Sequence, residues 1–365
     1  MVIVRTAGVT VQQCGRKQAK GEKTMKKKLA LLLVLAMSIT LLAACGSSSS
    51  DDTSDALADT SADSEAVEEE TEASADAEEE EDEENYDTGD ASLDDPRNQD
   101  DIGENELLVV SFGTSYNDSR RLTIGAIESA IEEAITDYSV RRAFTSNIII
   151  EHVLSRDGEE IDDVEAALER AVDNGVKNLV VQPTHLMSGY EYDDLIEELT
   201  DYSDAFESIS IGEPLLSSDE DNTAVMEAIV DWTSEYDDGE TAIVFMGHGT
   251  EHESNAIYQT MQDLLTESGY DNYYIGTVEA TPSLDDVLAL VEAGDYTRVV
   301  LEPLMVVAGD HANNDMAGDD EDSWKSTFEA AGYEVECVVR GLGENETIQQ
   351  IYVEHAQAAV DALGE

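Results

Sequence analysis

The sequence predicts an α/β fold: two lobes of parallel sheet covered by helices, related by an internal duplication, with a cleft between them. Two observations carry that expectation. From Glu106 onward, short unbroken apolar runs alternate with stretches of helical spacing. Unbroken Val/Ile/Leu strands are those buried on both faces of a parallel sheet. The order of these units then repeats within the chain.

The segments before the lobes read differently. Residues 1–24 carry no pattern, and Met25 is an alternative start. Three lysines precede the 16-residue apolar run Leu29–Ala44, which is shorter than the roughly 20 residues that span a bilayer, so residues 25–44 read as a signal peptide. Leu42-Ala43-Ala44-Cys45, followed by Gly and serines, resembles the bacterial lipoprotein box. Cys45 is therefore the expected lipidation site, and the chain is expected outside the cytoplasm, anchored to the membrane. Cleavage there leaves Cys45 and Cys337, so the fold must rest on its core rather than on a disulfide. Residues 45–104 are Ser, Ala, Asp and Glu with almost no aliphatics, and read as an acidic disordered tether.

The net charge of -65 excludes ordinary nucleic-acid binding, which needs Lys and Arg to neutralise phosphates. It also argues against docking on anionic lipid through a basic face. Residues 101–365 alone hold 60 Asp/Glu against 10 Lys/Arg, a domain that repels itself and should be steadier in salt.

In the first lobe, 105–225, ELLVVSFGTS is a strand entering a Gly turn and RRLTIGAIESAIEEAI is a helix. NIII is the next strand, DDVEAALERAVDNG a helix with an Asn-Gly stop, and VKNLVVQPTHL a strand. In the second lobe, 226–365, TAIVFMGHGT repeats the first strand and turn, and LDDVLALVEAGDYTRVVLEPLMVVAGDHA repeats the later helix and strand, with LEPLMVVA read as apolar strand up to Gly309. Matching Gly189 with Gly309 sets Glu191 opposite His311. Matching Gly113 with Gly249 sets Phe112 opposite His248.

Ligands of parallel sheets bind at the carboxyl ends of strands, where Glu191, His248 and His311 all fall, so the three are candidates for one cleft. Two imidazoles and a carboxylate suit Co, Ni, Fe or Zn as divalent ions. Gly309 is expected to let the chain turn sharply, and Asp310 or a nearby carbonyl to fix the His311 tautomer. His252 reads as a polar residue opening the next helix. His185 is either a cleft residue or a satisfied strand-end histidine, while His152 and His355 read as structural or exposed. Arg120 and Arg121 follow the SFGTS turn, either to meet an anionic ligand or as a solvated pair. No G-x-S-x-G elbow and no P-loop occurs, and Ser111 or Ser115 acting with His248 as a hydrolase is the weaker reading.

The stretches VVSFGTSYNDSR, QPTHLMSGYEYDDL, FMGHGT and LEPLMVVAGDHANNDMAGDDEDSWK together resemble the anaerobic cobalt chelatases of the CbiK type, the sirohydrochlorin cobaltochelatases, within the class II chelatases. The similarity runs from about Leu107 to the C-terminus. It implies a chelatase-like fold of two flavodoxin-like lobes with a sirohydrochlorin-like tetrapyrrole between them. It also implies that Glu191, His248 and His311 hold the metal, and that Co2+ enters the ring without ATP, with Fe2+, Ni2+ or Zn2+ as other possible ions. A neutral imidazole can release the metal and accept a pyrrole proton, which gives His248 the catalytic role. Ser111, Gly113, Thr114 and Arg120 become the expected substrate contacts. The alternative is a lipoprotein that captures haem, a corrinoid precursor or metal without turnover; self-association into a homo-oligomer stays open.

Overall fold

The computed structural model describes residues 5–6 and 88–363. The expected signal peptide, the lipidation site Cys45 and the tether as far as residue 87 lie outside the described residues. In the first lobe β1 (Asn105–Ser111), β2 (Ser139–Phe144), β3 (Asn178–Pro183) and β4 (Ser208–Ile211) pair in parallel, in the order β2-β1-β3-β4. The backbone of Arg5–Thr6 runs parallel beside Ser210 and Ile211. In the second lobe β5 (Thr241–Gly247), β6 (Tyr273–Thr277), β7 (Arg298–Pro303) and β8 (Glu334–Cys337) follow the same parallel pattern, β6-β5-β7-β8. The duplication read in the sequence is thus a duplication of topology.

A single apolar cluster joins the lobes: Leu107, Val109 and Ile127 of the first share it with Ile243, Phe245 and Leu304 of the second. Burial of such side chains, worth about 1.5–3 kcal/mol each, holds the two lobes together. The lobes are not two consecutive segments, however. Helix Asp219–Thr233 runs through the expected boundary at 225, and the C-terminal helix Glu346–Leu363 returns to the first lobe. There Ser210 Oγ donates to Ala359 O at 2.8 Å and the Tyr352 hydroxyl donates to Thr184 O at 2.9 Å. The helix buries Ile348, Ile351 and Tyr352, an apolar stripe that needs a sheet to cover it.

Three expectations are corrected. Residues 147–150, expected as a strand, begin the helix Asn147–Asp157: Ser146 caps it, with Oγ accepting from Ile149 N at 3.4 Å, and Gly158 ends it at φ 72. The true second strand, Ser139–Phe144, was masked by its arginines. Arg141 and Arg142 are buried because each meets carboxylates: Arg141 reaches Glu106 at 3.1 Å and Asp162 at 2.9 Å, and Arg142 reaches Glu128 at 2.7 Å and Asp94 at 2.6 Å. Burial still pushes the Glu106 carboxyl up to about 7, against the pull of Arg141.

The tether also ends earlier than residue 104. Residues 88–104 are built onto the first lobe, where Arg142 N donates to Arg97 O at 3.2 Å and Gln99 Nε2 to Val140 O at 3.1 Å, covering the open edge of β2. Its acids find arginine partners, which composition does not reveal. Finally, the apolar run from Leu301 is strand only to Pro303; Leu304, Val306 and Ala308 are buried in the loop that follows. No helix among the described residues is long and apolar enough to cross a membrane.

Candidate metal centre

His248 stands immediately after β5, exposed at the strand end. Both flanking glycines are required there. A Cβ on Gly247 would lie 2.2 Å from the Tyr258 ring, and Gly249 has φ +89 with the Ala280 backbone 2.8 Å from where its Cβ would be. The Tyr258 hydroxyl accepts from Gly249 N at 3.2 Å, and burial pushes its pKa to about 12, so it braces the turn as a neutral phenol. His248 Nδ1 lies 2.7 Å from Gly249 O. A carbonyl only accepts, so Nδ1 carries the hydrogen and Nε2 the lone pair.

His311 opens a helical turn that continues as Ala312–Met316. Gly309 is not in the left-handed region; its role is close approach, with Thr114 Oγ1 3.3 Å from the place of a Cβ. A partner of the imidazole is Asp315: His311 Nδ1 donates to Asp315 Oδ2 at 2.6 Å, and Asp310 Oδ1 accepts from Asn314 Nδ2. The carboxylate again places the hydrogen on Nδ1. The two imidazoles meet edge to face, with centroids 4.8 Å apart and planes at 80°.

Glu191 lies in the first turn of helix Tyr190–Tyr202, exposed. It and His311 follow their strand-ending prolines, Pro183 and Pro303, at the same spacing, so the repeat does make them equivalent. Glu191 Oε2 and Ser254 Oγ each stand 3.6 Å from where a Cβ on Gly189 would be. The lobes meet here: the Tyr190 ring lies edge-on to His252 at 4.9 Å, and His252 Nε2 is 3.6 Å from Asp193 Oδ2. His252 also caps the short turn Glu253–Asn255, accepting from Ser254 N at 3.1 Å.

The structure therefore brings the two histidines together, and the Glu191 charge acts on Tyr258 beneath the His248 turn. Among the described residues, no three His, Cys, Asp or Glu side chains are grouped to hold an ion. Sequence reasoning did not single out Glu279, which follows β6 and whose backbone N donates to His248 O at 2.8 Å. Its strand-end position was the available signal, lost among 84 acidic residues. His185 is not a satisfied strand-end histidine, since both ring nitrogens are enclosed without a hydrogen-bond partner. Burial lowers its pKa to about 4, against the raising effect of the Glu191 carboxylate, so the ring is neutral.

Of the expected substrate contacts, Ser111 Oγ accepts from Thr184 Oγ1 at 2.7 Å, joining the ends of β1 and β3, where the strand order reverses. Gly113 turns with φ +104 over the Phe144 ring, and Thr114 is buried behind it. Arg120 is corrected: it is fully buried, with Nε on Asp94 at 2.7 Å, Nη1 on Thr114 O at 3.2 Å and Nη2 on Asn117 Oδ1 at 2.6 Å. It shapes the loop from behind, with its guanidinium enclosed by protein groups. Arg121 is partly exposed and holds Asp118 at 3.1 Å. Two aromatic faces were also missed. Phe112 is 51% exposed and Tyr190 52%, each at the cleft end of the first lobe.

The family model for cobalt chelatase (CbiK) matches residues 105–361. The chain is 38% identical over 255 residues to the sirohydrochlorin cobaltochelatase of Salmonella typhimurium, covering 70% of this chain and 96% of that one. It is 33% identical over 259 residues to the sirohydrochlorin cobaltochelatase CbiKC of Nitratidesulfovibrio vulgaris, covering 70% and 91%. Among solved structures, SirB from Bacillus subtilis with Fe3+ superposes with a TM-score of 0.52 at 15% identity, covering 72% of this chain and 98% of its own. The sirohydrochlorin chelatase SirB from Bacillus subtilis subspecies spizizenii in complex with cobalt gives 0.51 at the same identity and coverage. At that identity the likeness is one of fold.

Proposed function

The chain belongs to the CbiK cobalt chelatase family, and from that premise we propose that it inserts Co2+ into sirohydrochlorin or a closely related tetrapyrrole, without ATP. The observation that carries this reading is the edge-to-face pair His248 and His311, each with its Nδ1 turned to an oxygen, Gly249 O and Asp315 Oδ2. Two imidazoles suit Co2+ and equally Fe2+, Ni2+ or Zn2+, so the choice of ion is set by supply and by the ring. A carboxylate, Glu191 from one lobe or Glu279 beside His248, offsets the charge of the waiting cation.

Insertion exchanges one divalent cation for two pyrrole N–H protons, so the macrocycle core ends with the charge it began with. His248, exposed at the strand end, takes up one proton as the metal leaves it, and the second passes to solvent. Phe112 and Tyr190 offer bare aromatic surface to a flat ring, as stacking requires. With Arg120 internal, the ring's carboxylates face solvent in this reading.

The test is anaerobic incubation of the purified domain with sirohydrochlorin and Co2+, followed by absorbance. Cobalt binding without any metallated product would replace insertion by capture. Export and lipid anchoring form the second part of the proposal, resting on Leu42-Ala43-Ala44-Cys45 and the serines after it. Cys45→Ala should move the protein from the membrane to the soluble fraction while leaving the domain intact. Equal fractionation of both forms would sink the anchor.

A further inference from the structure

We propose that Asp94 is a positioning residue for the chelatase site, fixing through Arg120 the strand-end loop 113–116 with the first turn of helix Asn117–Leu122 that closes it, and, through that loop, the turn that presents His311. The proposal rests on the reading of the cleft given above. Asp94 itself precedes residue 105, where the family match begins, and lies in the stretch whose composition reads as tether.

Its carboxylate is almost wholly buried, 3% exposed, and binds two guanidiniums: Arg120 Nε at 2.7 Å, and Arg142 Nη1 and Nη2 at 2.6 and 3.1 Å. Burial alone would raise its pKa, but Arg142 and Arg120 outweigh it and hold the group ionised. Arg120 passes the constraint on, donating to Thr114 O and Asn117 Oδ1. The same segment grips the loop twice more, with Thr88 O accepting from Asp118 N at 2.9 Å and Gly89 O from Asn117 Nδ2 at 3.3 Å.

On its other side the loop touches the second lobe. Ser119 Oγ accepts from Ala308 N at 3.0 Å, and Gly309 packs on Thr114. His311 is two residues further on. A continuous set of contacts thus runs from Asp94 to a candidate ligand in the opposite lobe. Without the Asp94 charge, Arg120 is left with Glu159 at 3.2 Å as its carboxylate, and a buried guanidinium that shifts toward it carries the Thr114 carbonyl along.

Asp94→Asn in the full chain tests this against Glu128→Gln. Glu128 is an equally buried carboxylate that binds Arg142 and Arg97 but neither Arg120 nor the loop. Both variants should lower the melting temperature. Only Asp94→Asn should speed amide exchange severalfold in residues 113–119 and 307–311 and raise KM for sirohydrochlorin severalfold. Should Asp94→Asn fail to fold, Gly89→Ala carries the test: at φ +91 its Cβ would stand 2.4 Å from the Asp118 carboxyl carbon, displacing the segment and the surface pair of Asp118 with Arg121 while leaving the Asp94 ion pairs untouched. Unchanged exchange and KM in these variants, or equal changes in Glu128→Gln, would reduce Asp94 to a structural role. Exchange needs no turnover, so a wild type that never inserts cobalt defeats the functional reading alone, and the exchange result still decides this one.

Discussion

Histidine was legible at the residue scale and carboxylate was not, because six histidines stand out in this chain while 84 acids hide one another. His248 and His311 could be paired from the repeat; Glu279 could not be found, and Arg120 was misplaced because sequence does not report burial. If the imidazole pair holds the metal, His248→Ala and His311→Ala should each weaken Co2+ binding and suppress insertion. Glu191→Gln should act more mildly, since it keeps shape and loses charge. Asp315→Asn removes the carboxylate behind His311, and partners of that kind are worth about 10–100-fold in metal affinity. His355→Ala is the comparison. It loses bonds to Glu213 O and Asp221 and so some stability, but should keep both activities. Cobalt titration beside insertion rate reads all five variants; normal binding and insertion in both histidine variants would end the assignment.

Strand and helix periodicity located most elements, failing where charge or β-branching contradicts burial. Ser139–Phe144 was hidden by Arg141 and Arg142, and Asn147–Asp157 by three isoleucines that a Ser cap turns into a helix start. The opposite conflict appears on helix Tyr190–Tyr202, where Glu198 faces other acids. Burial, then Asp163, Glu165, Asp194 and Asp201, push its pKa to about 7. A folded pKa above the ordinary carboxyl value means that the folded state holds the proton more tightly. The stability it lends is therefore full below about 4.5 and lost as pH rises through about 7. Glu198→Gln keeps the neutral form at every pH. Its melting temperature should exceed that of wild type at pH 8 and approach it near pH 5; a gap that does not shrink on acidification would mean the strain lies elsewhere.

For the molecule as a whole, the duplicated order was legible because both copies keep their strand and turn motifs. The return of Glu346–Leu363 to the first lobe was not, since an amphipathic helix does not name the sheet it will cover. Net charge was legible too, and the fold sharpens its consequence. Residues 101–365 carry 10 Lys/Arg, of which Arg120, Arg141 and Arg142 are buried among their own carboxylates, so the surface is left with fewer cations than the composition suggests. Most surface carboxylates then face one another across solvent, where the repulsion reaches about 30 Å at 0.01 M salt and about 3 Å at 1 M. Melting temperature should rise with sodium chloride, and most of the rise should come at the dilute end of that range, where the screening length changes fastest. Salting-out of apolar surface would instead give a steady gain at the concentrated end. A flat profile at low salt would show that the surface has already relieved its repulsion by binding protons, as Glu198 does, and repeating the melts at pH 8 would then restore the dependence.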